Sequence, residues 1–182
     1  MNNVKSYTDK QILERVKSLP NYKSIPQTYW ICAIRSNEDE TDKFDDKVYL
    51  FCGEKFVMVS SCTTNKGNKG TGVVEADFIN YGAYQIGKHK GKALAGLQRV
   101  GFPYKRDFTP DGKTNPTTEV MNDIRGFNFH AASHDISQKV VKTNIGGWSE
   151  GCIVVNDIPK FNKMINYLVP QKVFTMVILN EF

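Results

Sequence analysis

Cys152 stands in the stretch GGWSEGCIVVND (Gly146 to Asp157), directly after a serine, an acid and a glycine and at the head of an apolar run. A thiol attacks a carbonyl as its thiolate, so it needs a base or a positive charge nearby, and N–H donors aimed at the oxygen that becomes charged. The chain has three histidines, His89, His130 and His134. None follows Cys152, so a histidine base must lie upstream. His130 ends the run GFNFH, in which Phe127 and Phe129 alternate with Asn128 and His130, the period of a strand. Cys152 opens CIVV, a second predicted strand 22 residues after His130, which leaves room for a loop that brings two strand ends together. Gly151 permits a tight turn before the thiol, and the amides of Gly151 and Cys152 are candidate donors to an oxyanion. The plainer alternative is a buried cysteine after a turn.

The elements that must position these residues are mainly β. YWICAI, KVYLF, KFVMVSS, GVVEADF, FNFHA, CIVV and KVFTMVIL are short, rich in β-branched and aromatic residues, and separated by turn formers. KVYLFCGEKFVMVSS reads as a hairpin turning near Gly53 and Glu54. TDKQILERVKSL predicts a short N-terminal helix with a Thr8/Gln11 capping box, an Ile12, Val16, Leu19 stripe and a stop at Pro20. DIPKFNKMINYLV predicts one helix after the cysteine, capped by Asp157, with Ile158, Phe161, Met164, Ile165 and Leu168 on its core face. From about 79 to 124 glycines, aromatics and charges follow no sustained period, so this middle is read as long loops leaving the sheet.

Composition sets bounds. At 182 residues the chain has the length of one domain, and no apolar run reaches the roughly 18 residues of a membrane span. The net charge of +5 is spread over pieces such as NKGNKG and GKHKGK, a solvated lysine-rich face that also suits an anionic polymer. Cys32, Cys52, Cys62 and Cys152 include no CxxC pair, and the first three sit in strand-like runs where a small buried thiol is expected. MNNVKSYTDKQILERVKSLP has no uninterrupted apolar segment after its basic residues and does not read as a secretory signal, so synthesis in the cytoplasm is expected.

Taken together, FNFHAAS and GGWSEGCIVVND resemble the catalytic signature of the L,D-transpeptidase catalytic domain family, in which a strand-borne histidine is followed by Ser/Thr-His-Gly-Cys and an apolar strand. LFCGEKFVMVSSCTTNKGNKGTGVVEA is similar to that family's early hairpin, and the likeness runs from about 48 to 178 with an expanded middle. The chain reads as a divergent member with SEGC in place of SHGC: Glu150 stands where the family has its second histidine, and Val154 where an arginine is frequent. The resemblance implies a β-sandwich. It implies Cys152 as acyl-accepting nucleophile and His130 as base, with His134 the competing histidine. Ser149 and Gly151 would shape the turn, with an oxyanion held by the Gly151 and Cys152 amides. The family orients its histidine through a backbone carbonyl, so no third acid is required. The acid at Glu150 should disfavour the thiolate.

The expected arrangement is an N-terminal helix and linker over 1–28 and an L,D-transpeptidase-like domain over 29–182. The expected function is cysteine-dependent acyl transfer on peptidoglycan stem peptides, as transpeptidase or as carboxy- or endopeptidase, through a Cys152 thioester and without metal or organic cofactor. Trp148, His134, Arg106 and His89 are the candidate substrate contacts. For Trp148 core packing is the alternative, for Arg106 a surface ion pair with Asp107, and for His89 a solvated loop. Action would fall at the bacterial cell wall, reached by lysis, a phage particle or another route without a signal. Against this stands a catalytically inactive wall-binding or phage-particle domain of the same fold, with Glu150 marking lost activity. Nucleic-acid binding is weaker, since the charge comes with no recognisable module. The sequence points to no protein partner.

Overall fold

The computed structural model describes residues 5–38, 40–67 and 70–182, so Lys69 of the NKGNKG segment lies outside the described residues. Helix α1 (Asp9–Lys17) starts on Thr8, whose hydroxyl accepts from Gln11 N while the Gln11 side chain accepts from Thr8 N. This is the reciprocal cap predicted from the sequence. Its Ile12, Leu13 and Val16, with Leu19 and Ile25 beyond, pack on Trp30, Cys32 and Ile34 of β1 (Tyr29–Arg35) and on Tyr49 and Phe51 of β2 (Asp46–Cys52). Alternation then sends Ile31 and Ala33 of β1, and Val48 and Leu50 of β2, to the opposite face.

That opposite face encloses the second helix. After β2 come β3 (Lys55–Thr63), β4 (Gly72–Val74), β5 (Phe78–His89), β6 (Ala93–Gln98), β7 (Tyr104–Arg106), β8 (Phe129–Ala131) and β9 (Ile153–Val155). Helix α2 (Ile158–Leu168) and β10 (Val173–Asn180) follow. Eight strands close into a barrel in the order β1-β10-β5-β6-β8-β9-β3-β2, while β4 and β7 form a separate two-stranded sheet. The β1–β10 and β8–β9 pairs are parallel, and the other neighbours in the ring are antiparallel. α2 is capped by Asp157, which accepts from Lys160 N at 3.0 Å. Its Ile158, Phe161, Met164, Ile165 and Leu168 are all fully buried among inward side chains of the strands.

The mainly β class, both helices and the Gly53 turn, where φ is +58°, agree with the sequence reading. Two expectations about the strands change. A closed barrel stands where a two-layer sandwich was expected. Much of the middle is also not loop, since β5 and β6 form a long hairpin joining β10 to β8, with β7 beyond it. The ring closes at one narrow point, the pairing of Gly96 with Phe129. A Cβ at Gly96 would lie 2.3 Å from the Phe174 ring, so this glycine makes room for an aromatic. Cys32 and Cys62 are buried as expected, whereas Cys52, at the end of β2, is partly exposed. Among the described residues no helix is long and apolar enough to cross a membrane.

Because Phe161 is fully buried at 5.3 Å from the Phe129 ring, Phe161→Ala should leave a cavity between α2 and β8. The expected loss is about 3–5 kcal/mol of unfolding free energy, read as a lower urea midpoint.

Candidate active site

β8 divides its side chains between core and site. Phe129 turns to Phe161 and Phe174, while Asn128 and His130 meet His89 on the other face. β9 runs parallel beside it, with His130 opposite Val154, and Ile153 N donates to Asn128 O at 3.0 Å. Cys152 therefore arrives next to Asn128. Its Sγ accepts from Asn128 N at 3.4 Å, and its S–H donates to Gly126 O at 3.4 Å. Burial pushes this thiol up to about 11, with the Glu150 charge adding to the rise and the Asn128 amide opposing it. At neutral pH the resting group is a thiol.

The three histidines and Trp148 form one aromatic row. His89 stacks on His130 with ring centres 4.1 Å apart, His134 lies 6.2 Å from His89, and Trp148 meets His134 edge-on at 4.9 Å. His130 is buried, and its Nδ1 lies 2.8 Å from Ala131 O. A carbonyl only accepts, so Nδ1 carries the hydrogen and Nε2 holds the lone pair. That Nε2 is buried without a hydrogen-bond partner. Burial, with His89 adding to it, lowers His130 to about 3 and keeps the ring neutral. Imidazoles stacked face to face do not converge on an ion, and among the described residues no group of three or more His, Cys, Asp or Glu could hold a metal.

Cys152 opens on a cavity of about 370 Å³ whose walls include His89, Trp148, Glu150 and the cations Lys90, Arg106 and Arg125. His130, stacked on His89, is not itself on the wall. Arg106 Nη1 donates to Thr71 Oγ1 at 2.8 Å, and Arg125 Nε donates to the Tyr104 hydroxyl at 3.0 Å. Arg125 is already paired with Asp123 at 2.9 Å, so Lys90 and Arg106 are the wall cations that suit a ligand bearing a carboxylate.

The turn before the thiol is over-determined. Gly151 has φ +122°, a region side chains rarely adopt, and a Cβ there would lie 2.6 Å from Gly72 O. The buried Ser149 hydroxyl lies 2.8 Å from Asn65 O and 2.9 Å from Cys152 O, and it accepts from Gly151 N at 3.1 Å. The Gly151 amide expected to face an oxyanion is therefore engaged inside the turn. Gly67 N and Gly72 N donate to Ser149 O and Glu150 O, tying the turn to the segment after β3. That segment is anchored in turn by Lys66, whose ammonium lies 3.0 Å from Asp107 Oδ2 and donates to Thr109 O at 2.8 Å, both charged groups being buried.

Cys152, His130, Ser149, Gly151, Trp148, His134, His89 and Arg106 thus meet in one region. Two readings are corrected. His89 is no solvated loop residue, because it ends β5 at 7% exposure in the histidine row. Asp107 pairs with Lys66 instead of Arg106, which leaves Arg106 on the cavity wall. Sequence reasoning missed Arg125, Lys90, the Lys66–Asp107 pair and the role of Asn128. Asn128 alone had a signal, its alternation with His130. No family model, curated protein or solved structure matches this chain.

Removing the Glu150 charge should ease thiolate formation. Glu150→Gln is expected to speed iodoacetamide labelling of Cys152 at pH 8 by about twofold to fivefold, a shift of a few tenths of a pH unit in thiol ionisation, followed by peptide mass spectrometry. Lys66→Met would strand the Asp107 carboxylate, and a loss of about 3–5 kcal/mol in chemical denaturation is expected.

Proposed function

We propose that this chain is a cysteine acyl-transfer enzyme of L,D-transpeptidase type acting on peptidoglycan stem peptides at the bacterial cell wall. The observation that carries the reading is the state of His130. Its Nδ1–H is held by Ala131 O, and its Nε2 lone pair has no partner on the strand beside Cys152. A neutral imidazole with a bare nitrogen is the form a general base takes before reaction. The cavity cations Lys90 and Arg106 support a carboxylate-bearing substrate.

The thiol turns from Gly126 O to His130 Nε2 and gives up its proton as Sγ bonds the carbonyl carbon of a stem-peptide amide. The carbonyl electron pair moves to oxygen. When the tetrahedral species collapses, that pair returns, the C–N bond breaks, and the amine leaves with the proton from His130. An acceptor amine or water then attacks the thioester, and the thiol is restored. With Cys152 and His130 both neutral at rest, proton transfer accompanies attack rather than preceding it.

A second reading, a wall-binding domain without catalysis, is favoured by the thiol raised to about 11 and by the engaged Gly151 amide. Incubation with defined muropeptides, followed by mass spectrometry, separates the two. Wild type should give a thioester adduct and trimmed or crosslinked products, whereas Cys152→Ala gives none and His130→Ala loses about 10²-fold or more in rate. Products that need an added amine acceptor would mark a transpeptidase, and products in water alone a hydrolase. Wall binding by both wild type and Cys152→Ala, with no product from either, would overturn the enzyme reading.

A further inference from the structure

The proton on His89 is fixed by a chain of contacts that begins on β6. Gln98 N donates to Asn128 Oδ1 at 2.9 Å. A backbone amide only donates, so the other terminal atom of Asn128 is its NH₂, and that group lies 3.1 Å from His89 Nδ1. Two donors cannot share this contact. His89 Nδ1 therefore holds a lone pair, and the neutral ring carries its hydrogen on Nε2. The Gln98 side chain is pinned as well: its Oε1 accepts from the amides of Arg125, Gly126 and Phe127 at 2.9–3.0 Å, and its Nε2 donates to Val100 O and Asp123 O.

The two stacked rings are thus opposite tautomers. His130 leaves a bare lone pair on Nε2, and His89 on the cavity wall offers an N–H. Burial, the Lys90 charge and His134 all lower His89, so it stays neutral near pH 7. A neutral donor can hold a developing negative oxygen without surrendering a proton too early. The Gly151 amide is spent on Ser149, so an oxyanion at Cys152 lacks one of its expected donors.

We propose that His89 is a catalytic residue which donates its Nε2–H to the substrate carbonyl oxygen as that oxygen becomes an oxyanion, with Asn128 the positioning residue that fixes its tautomer. The inference rests on the acyl-transfer reading above. As Sγ bonds the carbonyl carbon, the π pair moves to oxygen and is held by His89 Nε2–H. The thiol proton goes to His130, and the His89 proton does not leave its ring.

Protein labelled with ¹⁵N-histidine has only three imidazoles to assign. Long-range ¹H–¹⁵N correlation above the imidazole titration should find His89 protonated at Nε2 and His130 at Nδ1. Asn128→Asp, which presents an acceptor to Nδ1, should move the His89 hydrogen to Nδ1. In single-turnover acylation by a muropeptide, His89→Phe should keep the stack yet lose about 10²- to 10³-fold in rate, with KM little changed. His89→Gln, which restores an N–H, should recover part of that loss. His89 protonated at Nδ1 in wild type, or acylation by both His89→Phe and Asn128→Asp within about threefold of wild type, overturns the role of His89 alone. A wild type that forms neither product nor adduct overturns the acyl-transfer reading and this role with it.

Discussion

Gly72 and Gly151 approach each other more closely than any side chain permits. A Cβ on Gly151 would sit 2.6 Å from Gly72 O, and one on Gly72 would enter the Phe127 ring at 2.2 Å. The contact locks the segment after β3 against the turn before the thiol, with Gly72 N bonded to Glu150 O. From that lock follow the geometry of Ser149, the height at which Cys152 meets Asn128, and the wall formed by Glu150. A backbone contact of this kind cannot be relieved by a rotamer change, so the thiol is positioned by main chain.

Core and site are two faces of one short strand. Phe129 joins β8 to α2 and β10, while Asn128 and His130 project oppositely to the histidine row. Packing of the buried helix against Phe129 therefore leaves His130 on the face away from the core, where Ala131 O and the His89 ring hold it. The cost is that polar groups lie under cover. His130 Nε2 has no partner, and the thiol is strongly disfavoured as an anion. Such unsatisfied buried groups are destabilising on their own.

The sequence carried the outer frame of this arrangement well. Thr8 and Asp157 announce their helices, and the aromatic and β-branched runs announce seven of the ten strands, because those signals act locally. The middle, from about 79 to 124, reads as loop because its glycines, aromatics and charges follow no sustained period. In the fold Gly87 and Gly96 instead admit Leu97 and Phe174, whose side chains would collide with a Cβ. Missing the β5–β6 hairpin hid both the closure of the barrel and the ordered setting of His89. That Cys152 and His130 fall on neighbouring strand ends was legible through their spacing, and β8 and β9 do pair. Lys66 and Asp107, far apart in sequence, come together only through tertiary structure, and nothing local marks either as buried.

The aromatic row also divides the two tryptophans of the chain. Trp30 is 1% exposed, stacked on Phe51 and bonded through Nε1 to Gly53 O beneath α1. Trp148 is half-buried on the cavity wall with its ring against His134. Indole emission responds to local polarity and to nearby imidazole, so one fluorophore reports the interior while the other reports the cavity wall. The cavity carries its own optical probe, two residues from Glu150 and four from the thiol.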